Sequence, residues 1–169
     1  MDFLDLIKKR YSVRAYKPDP VEDEKLMLIL EAARIAPTAA NRQPFKIIII
    51  HTQGREEELR RIYRREWFVQ APLLICVCGI PASSWVREDM KRYLDVDVAI
   101  VMDHMILAAT ELGLGTCWIA AFNSKAAREI LQIPDDAEPL LFSPLGYAAD
   151  TPGIKERKAL NNLFSYEQW

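Results

Sequence analysis

The sequence is short of the residues that most enzyme chemistry uses. Among 169 residues it has two histidines, His51 and His104, and six glycines. It contains none of the motifs HExxH, GxSxG, GxxxxGKS/T and GxGxxG. Histidine-based hydrolysis, P-loop phosphoryl transfer and Rossmann dinucleotide binding therefore lack their usual groups. One histidine lies in an apolar helical segment and the other at a strand end, so we expect both to be structural.

Cysteine and long hydrophobic runs are also scarce. Cys76, Cys78 and Cys117 form an odd set without a CxxC pair, which argues against a disulfide framework and against a structural metal. The longest apolar runs, such as residues 47–50, have the length of a strand and cannot span a bilayer. The first residues lack the apolar core of a secretory signal. We therefore expect a cytoplasmic protein without membrane contact.

An excess of positive charge is missing as well. There are 22 Lys and Arg residues against 24 Asp and Glu, and the net charge is −2, so the field that draws basic proteins onto nucleic acid is absent. Any anion site must be local. Half the residues are hydrophobic and no linker or repeat is visible, which predicts a single domain spanning residues 1–169.

Helical and strand patterns alternate along the chain. Apolar runs without alternation indicate strands that are covered on both faces, so the sequence predicts an α+β or α/β sandwich with four to five strands. An extended segment is expected at residues 11–16. The predicted helices cover 2–10, 22–36, 54–66, 94–114 and 124–133, and the predicted strands cover 45–50, 73–80, 116–120 and 139–148.

Two apolar regions suggest that the chain does not act alone. The helix at 94–112 is apolar almost all round, so it needs more cover than one small sheet provides. The C-terminal tail carries Leu163, Phe164, Tyr166 and Trp169, which would be exposed without a partner. We therefore expect a homodimer.

Two basic clusters indicate an anion site. Arg10, Ser12 and Arg14 are spaced by two, so in an extended segment they share one face and can bind a phosphate. The alternative is a solvated helix end, because Arg10 and Arg14 also share a face at helical spacing. Lys155 and Arg157 repeat the spacing, although a charged surface tail would look the same.

Two loops are informative in a different way. Asn41 and Gln43 lie between two prolines, where their amides suit the edge of a planar heterocycle, or else satisfy the backbone of a local turn. The segment GLGTC at 113–117 lacks a full dinucleotide fingerprint. Helix termination and close backbone approach explain its glycines better.

Taken in order, these segments resemble the nitroreductase family along essentially the whole chain. Its motifs are R-x-S-x-R/K, a P-S/T-x-x-N-x-Q-P-W/F loop, and a central helix that ends in GLG-T-C. The matching segments here are KKRYSVRAY at 8–16, APTAANRQPF at 36–45, DVAIVMDHMILAATELGLGTCWI at 97–119, and PLGYA at 144–148 followed by KERKAL at 155–160. The resemblance implies a three-layer α/β/α sandwich, with helices covering a mixed, mostly antiparallel sheet. It also implies FMN at the interface of a homodimer.

The resemblance also implies roles for particular residues. Arg14 would lie near the pyrimidine edge of FMN, and the backbone at Ala120 and Ala121 would face flavin N5, where relatives carry an acidic residue or glycine. Asn41 and Gln43 would reach the ribityl chain and ring edge from the other subunit. FMN would be held by Arg10, Ser12 and Arg14, with Lys155 and Arg157 joining Arg10 at the phosphate or in its neighbourhood.

The implied reaction needs no catalytic side chain, because the flavin carries the hydride. NAD(P)H would reduce FMN, and a quinone, nitroaromatic or similar acceptor would reoxidise it by a ping-pong mechanism. Trp85, in the segment 81–93, is a candidate substrate-side wall or a packing tryptophan. A specialised reaction such as dehalogenation, dehydrogenation or flavin fragmentation, and a non-catalytic flavin-binding dimer, remain alternatives.

Overall fold

The apolar strands form one four-stranded sheet in a computed structural model that describes residues 2–169. The sheet order is β1-β2-β4-β3, and every neighbouring pair is antiparallel. An isolated parallel bridge joins Ser12 to Thr116 at the β3 edge. The strands are β1 (Phe45–His51), β2 (Leu73–Gly79), β3 (Gly115–Thr116) and β4 (Glu138–Gly146). The helices are α1 (Phe3–Lys9), α2 (Asp23–Ile35), α3 (Glu56–Arg60), α4 (Glu66–Gln70), α5 (Leu94–Glu111) and α6 (Ser124–Leu131).

Helices cover both faces of the sheet. Successive side chains of a strand point to opposite faces, and all seven residues of β2 are buried. Leu73, Ile75 and Val77 pack in the cluster that includes α2 and α5. Leu74, Cys76 and Cys78 pack in the cluster that includes α3, α4 and α6. The predicted three-layer α+β sandwich is therefore confirmed.

Two predicted elements were wrong in extent. The charged segment 54–66 is not one helix, because α3 ends at Arg60 and α4 begins at Glu66. Between them the carbonyl of Ile62 accepts a hydrogen bond from the Asn123 backbone N–H at 2.9 Å, so it is used in a tertiary contact. The predicted strand 116–120 pairs only at Gly115–Thr116, followed by a single bridge between Ile119 and Phe142.

A polar cluster ties α2 to the end of β4. The Tyr147 hydroxyl donates to the Glu22 carboxylate at 2.7 Å and accepts from Lys25 Nζ at 2.6 Å. The hydrogen bond from Tyr147, helped by Lys25, lowers the pKa of Glu22 to about 2. This cluster fixes the region where β4 leaves the sheet and the chain runs on toward its C-terminal segment.

Large apolar side chains of α1, α2 and the C-terminal tail are exposed. Residues 151–169 are exposed throughout. Single chains rarely leave so many large apolar residues in contact with water. No helix within residues 2–169 is long and apolar enough to cross a membrane. The most exposed members are Phe3, Leu4, Met27, Leu28, Ile35, Ile154, Leu160, Leu163, Tyr166 and Trp169.

Candidate functional site

The structure gathers the two basic clusters around one open cavity of about 270 Å³. We call it the basic cavity. Complete ligand sites span about 300–1,000 Å³, so this cavity has room for one end of a cofactor. All five of the basic and hydroxyl residues predicted from sequence contribute to it. Its lining consists of Arg10, Tyr11, Ser12, Arg14, Gly153, Ile154, Lys155, Glu156 and Arg157.

The extended segment after α1 presents three of these residues. α1 ends at Lys9, which removes the alternative of a continuous helix through Arg10 and Arg14. The Val13 N–H donates to the Thr116 carbonyl at 2.9 Å, and the Val13 side chain is buried. A Cβ on Gly115 would lie 2.6 Å from Val13 Cγ2, so only glycine permits this close approach. The predicted role of the GLGTC glycines is confirmed here, and Gly113 has the positive φ of 79° that follows a helix end.

Asp150 holds the two walls of the basic cavity together, and the sequence analysis missed it. Its carboxylate accepts hydrogen bonds from the Arg14 backbone N–H at 2.7 Å and from the Tyr11 hydroxyl at 3.1 Å. The Ala149 N–H also donates to the Ala15 carbonyl at 2.8 Å. These bonds fix residues 11–15 against the segment that leads to Lys155. The available signal was that Asp150 is the last acid before Lys155 in the sequence.

Lys155 lines the basic cavity and also contacts the end of α1. Its ammonium group donates to the carbonyl oxygens of Lys8 and Arg10, and so caps the C-terminal end of α1. Desolvation, followed by the nearby guanidiniums of Arg10 and Arg157, lowers the pKa of Lys155. With Arg14, four cations therefore line the cavity.

Two guanidiniums remain available for a ligand. Within residues 2–169, the side chains of Arg10 and Arg14 have neither a carboxylate partner nor a hydrogen-bond acceptor, whereas Arg157 donates to the Glu156 carbonyl at 2.7 Å. Guanidinium forks without a partner, beside a serine hydroxyl, are suited to a phosphate monoester. Arg10 and Ser12 thus fit the phosphate of FMN, and Arg14 supplies a second free cation for the rest of the cofactor.

The loop that carries Asn41 and Gln43, residues 38–43, has a strained backbone, and its polar groups form hydrogen bonds within the loop. Ala40, Asn41 and Gln43 have positive φ values of 51°, 52° and 50°, which non-glycine residues adopt only when their surroundings hold them. The Gln43 amide donates to Asn41 Oδ1 at 3.1 Å, and the Gln43 N–H donates to Thr38 Oγ1 at 3.0 Å. We call these residues the amide loop.

A buried carboxylate anchors the amide loop to α5. Asp97 is 1% exposed, and its Oδ1 accepts the Ala39 N–H at 2.7 Å. Its Oδ2 is buried without a hydrogen-bond partner among the described residues. Sequence reasoning missed Asp97 because it lies in the apolar central helix.

The other predicted residues lie apart from the basic cavity. No residue of the amide loop lines it, so a single chain does not bring the two halves of the predicted site together. Ala120 and Ala121 are exposed, and Ala121 lines a separate cavity next to residues 61–65. Trp85 is half-buried and packs edge-on against Tyr93, with ring centroids 5.1 Å apart.

The chain is similar to proteins of one family. A sequence model of the Nitroreductase family matches residues 7–67 and 60–147. A crystallised nitroreductase family protein of Clostridium difficile 630 superposes with a TM-score of 0.92 and 41% identity over all of both chains. A Methanothermobacter thermautotrophicus protein, provisionally named NADH dehydrogenase/NAD(P)H nitroreductase, is 30% identical over 92% of this chain and 82% of its own.

A further relative is named for its cofactor. The FMN reductase (NAD(P)H) of Bacillus subtilis is 28% identical over 92% of this chain and 70% of its own length. The family match covers more than half of the sequence, and the solved relative shares both the fold and the length. The chain therefore belongs to the nitroreductase family.

Proposed function

We propose that this protein is an FMN-dependent oxidoreductase that passes electrons from NAD(P)H to a quinone, a nitroaromatic or a similar electron-poor acceptor. The observation that carries the proposal is the basic cavity, in which the unpartnered guanidiniums of Arg10 and Arg14 stand beside Ser12. Membership of the nitroreductase family, with relatives named for FMN and NAD(P)H, supports the identity of the ligand and the donor.

The chain's own contribution is to bind and orient the cofactor. FMN, when bound, accepts a hydride from the donor and delivers electrons to the acceptor. Arg10, Ser12 and Arg157 hold its phosphate end, and Lys155 fixes α1 behind them. Arg14 would supply a fixed positive charge near the pyrimidine edge, which would favour the negative charge that a flavin gains on reduction. No side chain of the site acts as a nucleophile.

The complete site is proposed to form in a homodimer. The amide loop carries Asn41 and Gln43 on a different part of the surface from the basic cavity. The exposed apolar side chains of α1, α2 and the tail can be buried between two copies. A stable interface of the usual size buries about 1,200–2,000 Å². A second copy then supplies the amide loop to the ribityl chain and ring edge, and Trp85 lies on the substrate side.

Donor and acceptor are proposed to use the site in turn. The chain has no Rossmann fingerprint, so NAD(P)H has no dedicated nucleotide domain and must visit the flavin itself. This arrangement gives ping-pong kinetics, with parallel double-reciprocal lines.

The test combines cofactor identification with half-reactions. Ligand released by heat should be FMN, and apoprotein should regain it in a titration. Anaerobic NADH or NADPH should bleach the flavin absorbance before any acceptor is added, and a quinone should restore it. Protein that cannot be reconstituted with FMN would contradict the proposal, as would intersecting kinetic lines with no reduction in the absence of acceptor.

A further inference from the structure

A second group of cations lies in the turn between α3 and α4. This turn, residues 60–65, carries Arg60, Arg61, Arg64 and Arg65, and we call it the arginine turn. Arg60 pairs with Glu66 at 3.0 Å, and Arg61 pairs with Glu129 at 2.8 Å. The guanidiniums of Arg64 and Arg65, by contrast, have no carboxylate or hydrogen-bond partner in the described chain.

The arginine turn faces two adjoining cavities of about 570 Å³ each. They adjoin because Arg61, Arg64 and Asn123 line both. The first also contains Lys125 and two acids, Glu57 and Glu129, of which Glu129 is already paired. The second contains no acid; its lining is Arg61, Ile62, Tyr63, Arg64, Arg65, Ala121, Phe122 and Asn123.

Tertiary contacts hold the arginine turn in place. The Asn123 N–H donates to the Ile62 carbonyl at 2.9 Å, while Asn123 Oδ1 caps α6 by accepting the Ala126 N–H at 3.0 Å. The positive end of α6 therefore adds to the field of the arginines. Tyr63 packs edge-on against Trp67 and Phe68, so an aromatic wall stands beside the cations. This combination of aromatic and cationic surface suits a nucleotide.

One short stretch of chain connects the arginine turn with the basic cavity. Thr116 bridges Ser12, which lines the basic cavity, and Ala121 lies five residues farther along, on the cavity of the arginine turn. At about 3.3 Å per residue, the two points are at most about 17 Å apart. The proposed position of flavin N5, at Ala120 and Ala121, thus lies next to the second group of cations.

We propose that Arg64 and Arg65 bind the pyrophosphate of the NAD(P)H donor. This inference rests on the proposed function, in which the nicotinamide visits the flavin, and on the family resemblance, which implies that flavin N5 faces the backbone at Ala120 and Ala121. The pyrophosphate is the first anionic group beyond the nicotinamide ribose, and it needs cations because the chain lacks a glycine-rich phosphate loop. Unpaired guanidiniums on the same cavity supply them as bidentate donors.

Steady-state kinetics of the FMN-loaded protein test the inference. Arg64→Ala and Arg65→Ala should each raise KM for NADH and for NADPH about tenfold, as expected for one charge-assisted hydrogen bond, with kcat unchanged. Reduction by 1-benzyl-1,4-dihydronicotinamide, a donor without phosphate, should proceed in both variants at the wild-type rate. Arg55→Ala is the matched control, since Arg55 pairs with Glu58 and lies outside both cavities.

The outcomes separate the inference from the proposed function. Wild-type protein that is reduced by the benzyl donor but not by NAD(P)H would overturn both. Unchanged KM values in the two variants would overturn the inference alone. Loss of FMN, or slower reduction by the benzyl donor, would place the arginines in the flavin site or the fold instead. A rise in KM for NADPH only would reject the pyrophosphate in favour of the 2′-phosphate.

Discussion

The basic cavity and the amide loop are the two halves of one predicted site, yet they are built in different ways. The cavity is assembled within a single chain, from the end of α1 and a segment more than 140 residues later in the sequence. Asp150 and Arg14, which join the two, are 136 residues apart. Among the residues that the structure describes, the guanidiniums of Arg10 and Arg14 have no partner. The amide loop is local and strained, and its side chains bond to each other.

The two regions are therefore preorganised for a ligand in different ways. The cavity has unpaired guanidiniums, which an anion can neutralise without a change in the backbone. The amide loop has a strained backbone conformation, which the hydrogen bond to Asp97 holds in place. Its side-chain amides must break their bond to each other before they can bind a ligand. Each cation of the cavity should therefore contribute a share of the affinity, whereas a complete site should form only when a second copy brings its amide loop to the cavity.

Removing residues 162–169 should have the largest effect, because it would separate the two halves. The deletion takes away Leu163, Phe164, Tyr166 and Trp169, which are exposed in the single chain, and leaves the basic cavity intact. Without the apolar contact the dimer should dissociate and FMN binding should be lost. Light scattering and FMN titration measure both effects. Ser165→Ala is the control, and a truncated monomer that keeps FMN would show that one chain suffices.

Removing a single cation of the basic cavity should weaken FMN binding without affecting assembly. Arg14→Ala and Arg157→Ala should each cost about 1.5–3 kcal/mol of binding free energy, the value of a charge-assisted hydrogen bond, or about tenfold to a hundredfold in Kd. Fluorescence titration with FMN measures the loss, and light scattering checks the dimer. Lys158→Ala, whose side chain does not line the cavity, should bind normally. Wild-type titration curves for both arginine variants would reject their roles.

The sequence predicted the layers of the fold well because periodicity reports burial directly. The run of seven buried residues in β2 and the apolar length of α5 both indicate elements with cover on more than one side. Periodicity failed where a tertiary contact determines the backbone conformation. Nothing in residues 61–65 signals that Ile62 will accept a bond from Asn123 and end the helix.

The same distinction applies to the candidate site. The spacing of Arg10, Ser12 and Arg14 predicted a shared face in an extended segment, because alternation is a local property, but the helical alternative stayed open until the structure showed that α1 ends at Lys9. Asp150 and Asp97 were missed because their importance lies in partners 136 and 58 residues away in sequence. No spacing rule relates such positions, so only the folded chain shows them.

The smallest effect should come from releasing the amide loop while both the cavity and the apolar surface stay intact. Asp97→Ala removes the acceptor of the Ala39 N–H, which costs about 1 kcal/mol in anchoring. The strained conformation of Asn41 and Gln43 should then be populated less, and FMN affinity should fall about fivefold, in line with that energy. Asp97→Asn keeps the acceptor oxygen and should bind more tightly than the alanine variant. Asp95→Ala, an exposed acid in the same turn of α5, is the control. Hydrogen exchange at the Ala39 amide reports the loop independently of FMN; faster exchange with unchanged FMN affinity would mean that the amide loop takes no part in binding.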